Sequence, residues 1–519
     1  MYNSCMAVLS NLERRFLQAA AGLAYCNPFL PERIEWERAA LGREYVESEP
    51  VWSVSVADPE ADLPNILRIY EKLGILIESL HGRLAAAHDL HPDDLTAYED
   101  SVHSLLYQRY YSSFRDAHGR FPFYKEFLAD WNRYLVLPGK RFETSLRPAH
   151  VFACYYQIQR AFQAIFFHVI GSSMPAAKLR ASIWQSIFTH DMRRYRRTLY
   201  LRMSDFPTLI TGPSGTGKEV VARAIAGARY IPFDPERFDF AGRTTGIVTE
   251  TFFPINVAAL SPALIESELF GHRRGSFTGA ISDRKGWLET CPPLGAVFLD
   301  ELGEMDLLLQ VKLLRAIESR RFSPVGDTAL REFRGKLIAA TNRDLRVEIR
   351  HGRFREDLYY RLCADLIRTP SLREQIDASP AVLNELTLFM VRRVAGDEAE
   401  SCLAEVQHWI AQNLPANYPW PGNYRELEQC VRNVMIRGAY QPVMDEPAGT
   451  SDNAFSAAFR AGTLPAEEVL AYYAALVYRQ TGSYEEAARR LRLDRRTVKA
   501  RVEAYLKTQI EPAGATISR

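Results

Sequence analysis

The stretch TLITGPSGTGKE, residues 208–219, decides how the centre of this chain is read. A short apolar run of strand character enters a glycine-rich turn, and a lysine stands where a helix begins. Gly212, Gly215 and Gly217 let successive backbone N–H groups turn inward around phosphate oxygens. Lys218 supplies the charge for the β- and γ-phosphates. The generic phosphate loop carries Ser or Thr after the lysine to hold Mg²⁺, and here that place is Glu219. The simpler alternative is a glycine-rich turn with a surface lysine.

Moving outward, an apolar strand in GAVFLDELGEMD delivers Asp300 and Glu301 at its carboxyl end, 82 residues after Lys218. Open α/β sheets place their chemistry at that end. Asp300 there positions Mg²⁺ through water, and Glu301 polarises an attacking water. Taken alone, the two are a solvent-facing acidic pair. KLIAATNRDL ends another strand at Thr341 and Asn342; the amide either senses a γ-phosphate or caps the next turn. HGRFREDLYYRL carries Arg355 and Arg361, which either pair with Glu356, Asp357 or Asp365 or act in trans on a neighbour's nucleotide within a ring. Arg425, in YPWPGNYRELEQ, either reaches back over the phosphates or pairs with Glu426 or Glu428.

TLIT, FFPIN, AVFLD and KLIAATN alternate with helical runs between residues 170 and 370, which predicts a parallel α/β sheet. Helical periodicity fills the regions on either side, as in residues 63–88 and 147–169. Only PVWSVSV, residues 50–56, reads as a strand in the first 168 residues. The aromatic-rich segment 105–135 either lines a ligand pocket, makes a protein contact or fills a core. Residues 441–463 have the Pro, Gly, Ser and Asp content of a linker. The expected organisation is therefore multidomain. It comprises a mostly α N-terminal domain (1–168), an α/β ATPase subdomain (169–370) with a helical lid (371–440), a linker (441–463) and an all-α C-terminal domain (464–519).

Bulk properties agree. The chain's 519 residues suffice for about three or four domains. A net charge of +1 names no partner by itself, so a nucleic-acid surface has to be a local cluster. Seven scattered cysteines form no CxxC pair, which fits neither a zinc site nor a disulfide framework and suits a reducing cytosol. No secretory signal is visible, and AFQAIFFHVIG is too short to span a bilayer, so a cytoplasmic protein without membrane association is expected.

GHRRGSFTGAISDRKGW, residues 271–287, places Phe277 and Thr278 between Gly275 and Gly279. Flanking glycines suit a loop that moves and touches something; the plainer reading tucks Phe277 back into the protein.

In order and spacing, GPSGTGKE, ESELFGHRRGSFTGA, GAVFLDELGEMD, QVKLLRAIE, IAATNRDL, FREDLYYRL and WPGNYRELE resemble the AAA+ domain of bacterial enhancer-binding proteins, the sigma-54-dependent transcription activators. The resemblance covers about half the chain, residues 170–440. Glutamate after the P-loop lysine is characteristic of that family. The resemblance implies ATP and Mg²⁺ as cofactors and a phosphate loop formed by Gly212, Pro213, Ser214, Gly215, Thr216, Gly217, Lys218 and Glu219. It makes Asp300 and Glu301 the Walker B pair, Asn342 the first sensor, Arg355 and Arg361 the arginine fingers, and Arg425 the second sensor. It gives Asn256 the task of holding the catalytic glutamate until the nucleotide state releases it. Gly275, Ser276, Phe277, Thr278, Gly279 and Ala280 match the loop that engages sigma-54, with Ser276 where family members carry alanine. Two stretches depart from the family: the chain is longer between Ala226 and Phe252, and SLREQ (371–375) replaces a proline-leucine-arginine-glutamate-arginine run.

Residues 465–507 read as three helices. Ser483 and Glu486 have capping-box spacing, and Asp494 is placed to cap the last helix. From Arg479 to Lys507 there are nine basic and four acidic residues. This pattern resembles a Fis-type helix-turn-helix, with Arg495, Arg496, Thr497, Lys499 and Arg501 expected at DNA; the plainer reading is a solvated basic helix.

The expected function is an ATP-hydrolysing ring, a hexamer by analogy. It binds enhancer DNA and remodels the closed sigma-54 RNA polymerase promoter complex into an open one. Alternatives are a different AAA+ motor, or a DNA-binding regulator that uses ATP only to control its oligomeric state. The signal or partner of residues 1–168 is not legible.

Overall fold

The structure, a computed structural model, describes residues 8–47, 63–87, 91–117, 119–142, 144, 147–241, 251–442, 459 and 462–510. The strand expected at 50–56, most of the linker 441–463 and residues 242–250 lie outside the described residues. The chain divides into two compact units, Met1–Tyr440 and Gln441–Arg519.

The first unit opens with eight helices: α1 (Asn11–Tyr25), α2 (Glu32–Leu41), α3 (Pro64–Ala86), α4 (Pro92–Arg115), α5 (Tyr124–Leu135), α6 (Pro148–His168), α7 (Met174–Phe188) and α8 (Met192–Arg197). Their starts are local chemistry. Ser10 and Glu13 form a reciprocal capping box at α1, and prolines occupy the first turns of α3, α4, α6 and α7. Along α3, Ile69, Leu73, Ile77, Leu80 and Leu84 recur at the three-and-four spacing of one helical face, and all are buried. The aromatic segment resolves as core: Phe114, Phe121, Tyr124, Phe127, Trp131 and Tyr134 are buried in one cluster with α3.

The central sheet has five parallel strands in the order β11-β1-β10-β7-β4. These are β1 (Thr208–Thr211), β4 (Phe252–Asn256), β7 (Ala296–Asp300), β10 (Lys336–Thr341) and β11 (Asp365–Arg368). The first four coincide with the expected strand runs; β11 carried no apolar run strong enough to announce itself. Three two-residue hairpins decorate the sheet: β2 (Phe233–Asp234) with β3 (Asp239–Phe240), β5 (Gly271–His272) with β6 (Arg284–Lys285), and β8 (Arg321–Phe322) with β9 (Arg331–Glu332). The intervening helices are α9 (Lys218–Gly227), α10 (Pro262–Phe270), α11 (Trp287–Thr290), α12 (Leu307–Ser319), α13 (Leu345–Arg350) and α14 (Glu356–Leu362). Four more, α15 (Leu372–Ala378), α16 (Ala381–Ala395), α17 (Ala399–Asn413) and α18 (Asn423–Arg437), build the lid around Leu372, Leu386, Val406 and Leu427.

Packing runs through the boundary expected at residue 168. Ala161 and Ile165 of α6 share a core with Val221 and Ile225 of α9. Within the described part of the stretch between Ala226 and Phe252 lies the β2–β3 hairpin, which inserts Phe233 and Phe240 among Phe121, Tyr124, Phe152 and Tyr156 of the N-terminal helices. Among the described residues, no helix is long and apolar enough to cross a membrane.

The described residues of the second unit include three helices, α19 (Ala466–Thr481), α20 (Tyr484–Leu491) and α21 (Arg495–Ile510), around Ala474, Val477, Ala487, Val498 and Val502. Asp494 caps α21 by accepting the Thr497 N–H at 2.9 Å. The capping box expected at Ser483 does not form: its side chain makes no cap bond. Tyr484 stacks on Tyr478 at 4.1 Å, and Glu486 pairs with Arg489 instead of reaching back to Ser483.

Candidate functional site

The loop after β1 opens at the carboxyl end of the sheet, between the neighbours of β1. Gly217 is the left-handed N-cap of α9 at φ +84°, a conformation glycine adopts without steric cost. Lys218 follows and is buried. Its ammonium donates to the carbonyls of Gly212 and Pro213, both at 3.1 Å. Burial lowers its pKa, Glu301 and Asp300 pull it back up, and Arg425 pushes it down. The two carboxylates at the end of β7 and the lid arginine therefore all act on this one lysine. Thr216 bonds the Pro213 carbonyl at 2.8 Å and the Thr369 hydroxyl at 2.7 Å, fixing the loop against the chain just past β11.

Glu219 faces away from this cradle. It forms an i,i+4 pair with Arg223, whose guanidinium lies over the Phe252 ring at 4.5 Å. The position after the lysine thus steadies the outer face of α9. A Mg²⁺ site here has one carboxylate at its centre, Asp300, whose Oδ1 accepts only the Glu301 N–H at 3.0 Å. Mg²⁺ keeps several waters and takes one or two carboxylates beside substrate phosphates, so this donor set fits it. Among the described residues, no group of three or more His, Cys, Asp or Glu is placed to bind a metal without a nucleotide.

Glu301 adopts φ +52°, an uncommon left-handed conformation for a non-glycine residue. Such backbone strain gathers at functional sites. Asn256 lies in register with Asp300 on the adjacent strand end. Its Oδ1 accepts the Ala258 N–H at 2.9 Å, and no bond joins it to Glu301 in this state. Asn342 is exposed at the end of β10. The cap it was weighed for is supplied by Asp344, which accepts the Arg346 N–H at 2.9 Å, leaving the Asn342 amide available.

The lid closes on the phosphate loop through one side-chain amide and one backbone N–H, both bonding loop carbonyls. Asn423 donates to the Ser214 carbonyl at 2.9 Å, and the Tyr424 N–H donates to the Gly215 carbonyl at 3.1 Å. Gly215 is required here: a Cβ on it would run into the Gly422 carbonyl. Arg425 sits beside this contact, its Cβ 3.4 Å from where that Cβ would lie. Both acids that were alternative partners for Arg425 are taken. Glu426 accepts from Gly422 N–H and the Tyr418 hydroxyl, and Glu428 pairs with Arg432. In SLREQ, Ser371 starts α15 by a capping box with Glu374, a helix start that needs no proline. Gln375 bonds the Tyr424 hydroxyl, and Asn423 Oδ1 accepts the Leu372 N–H at 2.8 Å.

Arg355 and Arg361 stand on the exposed side of α14. Arg355 makes a two-pronged pair with Asp357, and Arg361 pairs with Glu318 of α12 at 3.0 Å, a partner not among those weighed from sequence. Exposed pairs of this kind are worth little and exchange readily. The loop from Arg273 to Asp283 is folded, not extended. Arg273 bridges Asp283 and Asp327, and Gly275 N–H donates to Ala280 O at 2.8 Å. Phe277 is half-buried, its ring edge-on to His272 at 5.0 Å, while Thr278, Gly279 and Ile281 are exposed. Ser276 packs against Gly326 with its hydroxyl buried and unbonded.

In the second unit, Arg495, Arg496 and Lys499 are exposed on α21, whereas Thr497 and Arg501 are half-buried. Arg495 pairs with Glu485, Lys499 with Glu503, and Thr497 with its cap Asp494.

The sequence reading missed Asn423, Thr369 and Gln310. Gln310 accepts the Arg355 N–H at 2.8 Å and so positions the first arginine of α14. A buried glutamine within an apolar helical face was the available signal.

Residues 188–368 match the sigma-54 interaction domain family. The chain is 36% identical over 302 residues to the transcriptional regulatory protein ZraR of Escherichia coli K12, covering 58% of this chain and 63% of that protein. It is 43% identical over 227 residues to the regulatory protein LuxO of Vibrio cholerae, covering 44% and 45%. It is 40% identical over 241 residues to the DNA-binding transcriptional regulator NtrC of Azospirillum brasilense, covering 46% and 45%. The chain thus spans less than two thirds of the length of these relatives.

Proposed function

From the premise that residues 188–368 are a sigma-54 interaction domain, we propose that this chain is a cytoplasmic ATPase that activates sigma-54 RNA polymerase. It binds upstream DNA, assembles as a hexameric ring and remodels the closed promoter complex into an open one. The observation that carries the reading is the convergence on Lys218 of Asp300, Glu301 and Arg425, under a lid whose Asn423 side chain and Tyr424 N–H bond the phosphate loop.

In this mechanism Lys218 exchanges its two carbonyl bonds for phosphate oxygens, a stronger charge-assisted contact. Asp300 would hold Mg²⁺ through water, and the ion supplies charge neutralisation on the phosphates. Glu301 polarises the attacking water, and Asn342 reads the γ-phosphate. Arg425 reaches the same phosphates from the lid. Arg355 and Arg361, released from Asp357 and Glu318, complete the site of the neighbouring subunit. Asn256 exchanges its bond to Ala258 for one to Glu301 as the nucleotide state changes. The loop responds by freeing Phe277 from His272, so that Phe277 and Thr278 reach sigma-54 together. Residues 464–519 act as a helix-turn-helix whose Arg495, Arg496, Thr497, Lys499 and Arg501 approach DNA from α21.

The test is transcription in vitro with purified sigma-54 holoenzyme, ATP and the full chain. Thr278→Ala is expected to hydrolyse ATP at the wild-type rate and to form no open complex. Normal activation by this variant would favour the other reading, a DNA-binding regulator that uses ATP only to set its oligomeric state. Arg496→Ala with Lys499→Ala is expected to weaken enhancer binding and flatten its salt dependence.

A further inference from the structure

The amino end of the central sheet, opposite the phosphate loop, holds a cavity of about 330 Å³. That volume suits a small organic molecule. Its floor is the start of β10 and its walls are the exit of α9, the N-terminal helices and the β8–β9 hairpin. Four cations line it, Arg229, Arg320, Arg334 and Lys336, with two acids, Asp205 and Glu332. Each acid is ion-paired, Asp205 with Arg202 and Glu332 with Arg334, and the fields of both still support the Arg320 charge against the burial that opposes it. Arg229, Arg320 and Lys336 are left with no carboxylate in ion-pair range among the described residues.

The three are held by neutral oxygens. Lys336 Nζ donates to the Phe206 carbonyl at 2.9 Å and the Met203 carbonyl at 3.3 Å, which occupies two of an ammonium's three donors. Arg229 bonds the Gly295 carbonyl and the Ser204 hydroxyl, and Arg320 bonds the Gly335 carbonyl at 2.6 Å. The backbone N–H of Lys336 shares the Gly295 carbonyl with the Arg229 guanidinium. The carboxylate whose field reaches Lys336 is Asp365, and its Oδ2 is occupied by the Ser186 and Thr208 hydroxyls. Burial and the two arginines together bring the Lys336 pKa down to about 8, with burial the larger cause. Uncompensated buried charge is costly, and an anion in the cavity removes that cost. The same walls carry aromatic surface: Tyr200 and Tyr230 lie edge to face at 4.7 Å, and Phe333 sits beneath the Arg320 guanidinium at 4.6 Å.

We propose that this cavity binds a small organic anion, its phosphate or carboxylate head among Arg229, Arg320 and Lys336 and its flat apolar body against Tyr200, Tyr230 and Phe333. The site joins the exit of the phosphate-loop helix, Ala228 and Arg229, to Gln157 and Tyr195 of the N-terminal helices. An occupant would therefore bridge the two.

Calorimetric titration of the full chain tests this, in a Lys218→Ala background so that the phosphate loop takes no part. The probes are phenyl phosphate, benzoate, inorganic phosphate and the neutral control phenol. Saturable one-site binding of phenyl phosphate or benzoate is expected at millimolar concentration or below, tighter than inorganic phosphate, and none of phenol. Whichever ring-bearing probe binds tighter identifies the head group. Lys336→Met is expected to weaken it at least about tenfold, the loss of one charge-assisted contact. Leu294→Trp, at the half-buried rim, fills the space while leaving every cation in place, and is expected to abolish binding. Absence of binding by all three anions, or binding undiminished in both variants, would overturn the proposal.

Discussion

Two buried lysines, at opposite ends of one sheet, live in opposite company. Lys218 follows the carboxyl end of β1 and Lys336 opens β10 at the amino end. Burial lowers the pKa of both. At Lys218 two acids, Glu301 and Asp300, oppose that shift and one cation, Arg425, adds to it; at Lys336 one acid, Asp365, opposes it and two cations, Arg229 and Arg320, add to it. The carboxyl end thus sets two acids against its buried lysine and is the more balanced site of the two. The amino end is an unbalanced one, kept in place by carbonyls and by the N-terminal helices that pack over it.

The largest effect is expected where that cover is anchored. Phe233→Ala removes a buried ring from contacts with Phe121, Tyr124, Phe152 and Phe240. It should cost about 3–5 kcal/mol, read as a lowered first transition in scanning calorimetry. A loss near zero would mean the hairpin does not tie the two regions together. Next comes the pH profile of Lys336. Its folded pKa, about 8, lies below the ordinary 10.5, so the unfolded chain binds the proton more tightly. The destabilisation is full below pH about 8 and is relieved as pH rises toward 10.5, by about 3 kcal/mol in all. The stability of wild type relative to Lys336→Met should therefore climb across that window. A flat difference would place the lysine in company as balanced as that of Lys218.

The contrast also explains what the sequence displays. The carboxyl-end site is built from residues that follow strand ends, so Lys218, Asp300, Glu301 and Asn342 are readable from motif and spacing, as are four of the five strands. The amino-end site has no such spacing, because Arg229 follows the exit of α9, Arg320 caps α12 and Lys336 opens β10, and they hold onto backbone carbonyls, which carry no sequence signature. The N-terminal region is legible as helices because apolar periodicity is local. Its junction with the β-sheet region is not, because ring-on-ring packing between Phe121 and Phe240 depends on sequence-distant partners. Phe277 shows the same limit: glycines announce a loop, but only the fold reveals that His272 holds the ring down.

The remaining two predictions concern the balanced end. Lys218→Ala should weaken nucleotide binding by about 100-fold in a fluorescent-nucleotide titration, since charge-assisted phosphate contacts are lost. Its stability without nucleotide should change little, because the cost of burying the lysine disappears with it. An affinity within a few-fold of wild type would move the phosphate site elsewhere.

The last effect is the most discriminating. Asn423 has φ +53°, donates to Ser214 in the phosphate loop and accepts from Leu372 at the start of α15. Asn423→Ala loses both bonds and also meets the left-handed penalty, about 2–4 kcal/mol of stability altogether, from two neutral hydrogen bonds and a strained backbone. Asn423→Gly loses the same bonds without that penalty, so the difference between the two variants isolates the strain. If the lid closes the balanced site, both variants weaken nucleotide binding and neither alters the pH dependence set by Lys336. The reverse pattern, an unchanged nucleotide affinity with a shifted pH profile, would show that the two ends of the sheet are one coupled electrostatic system.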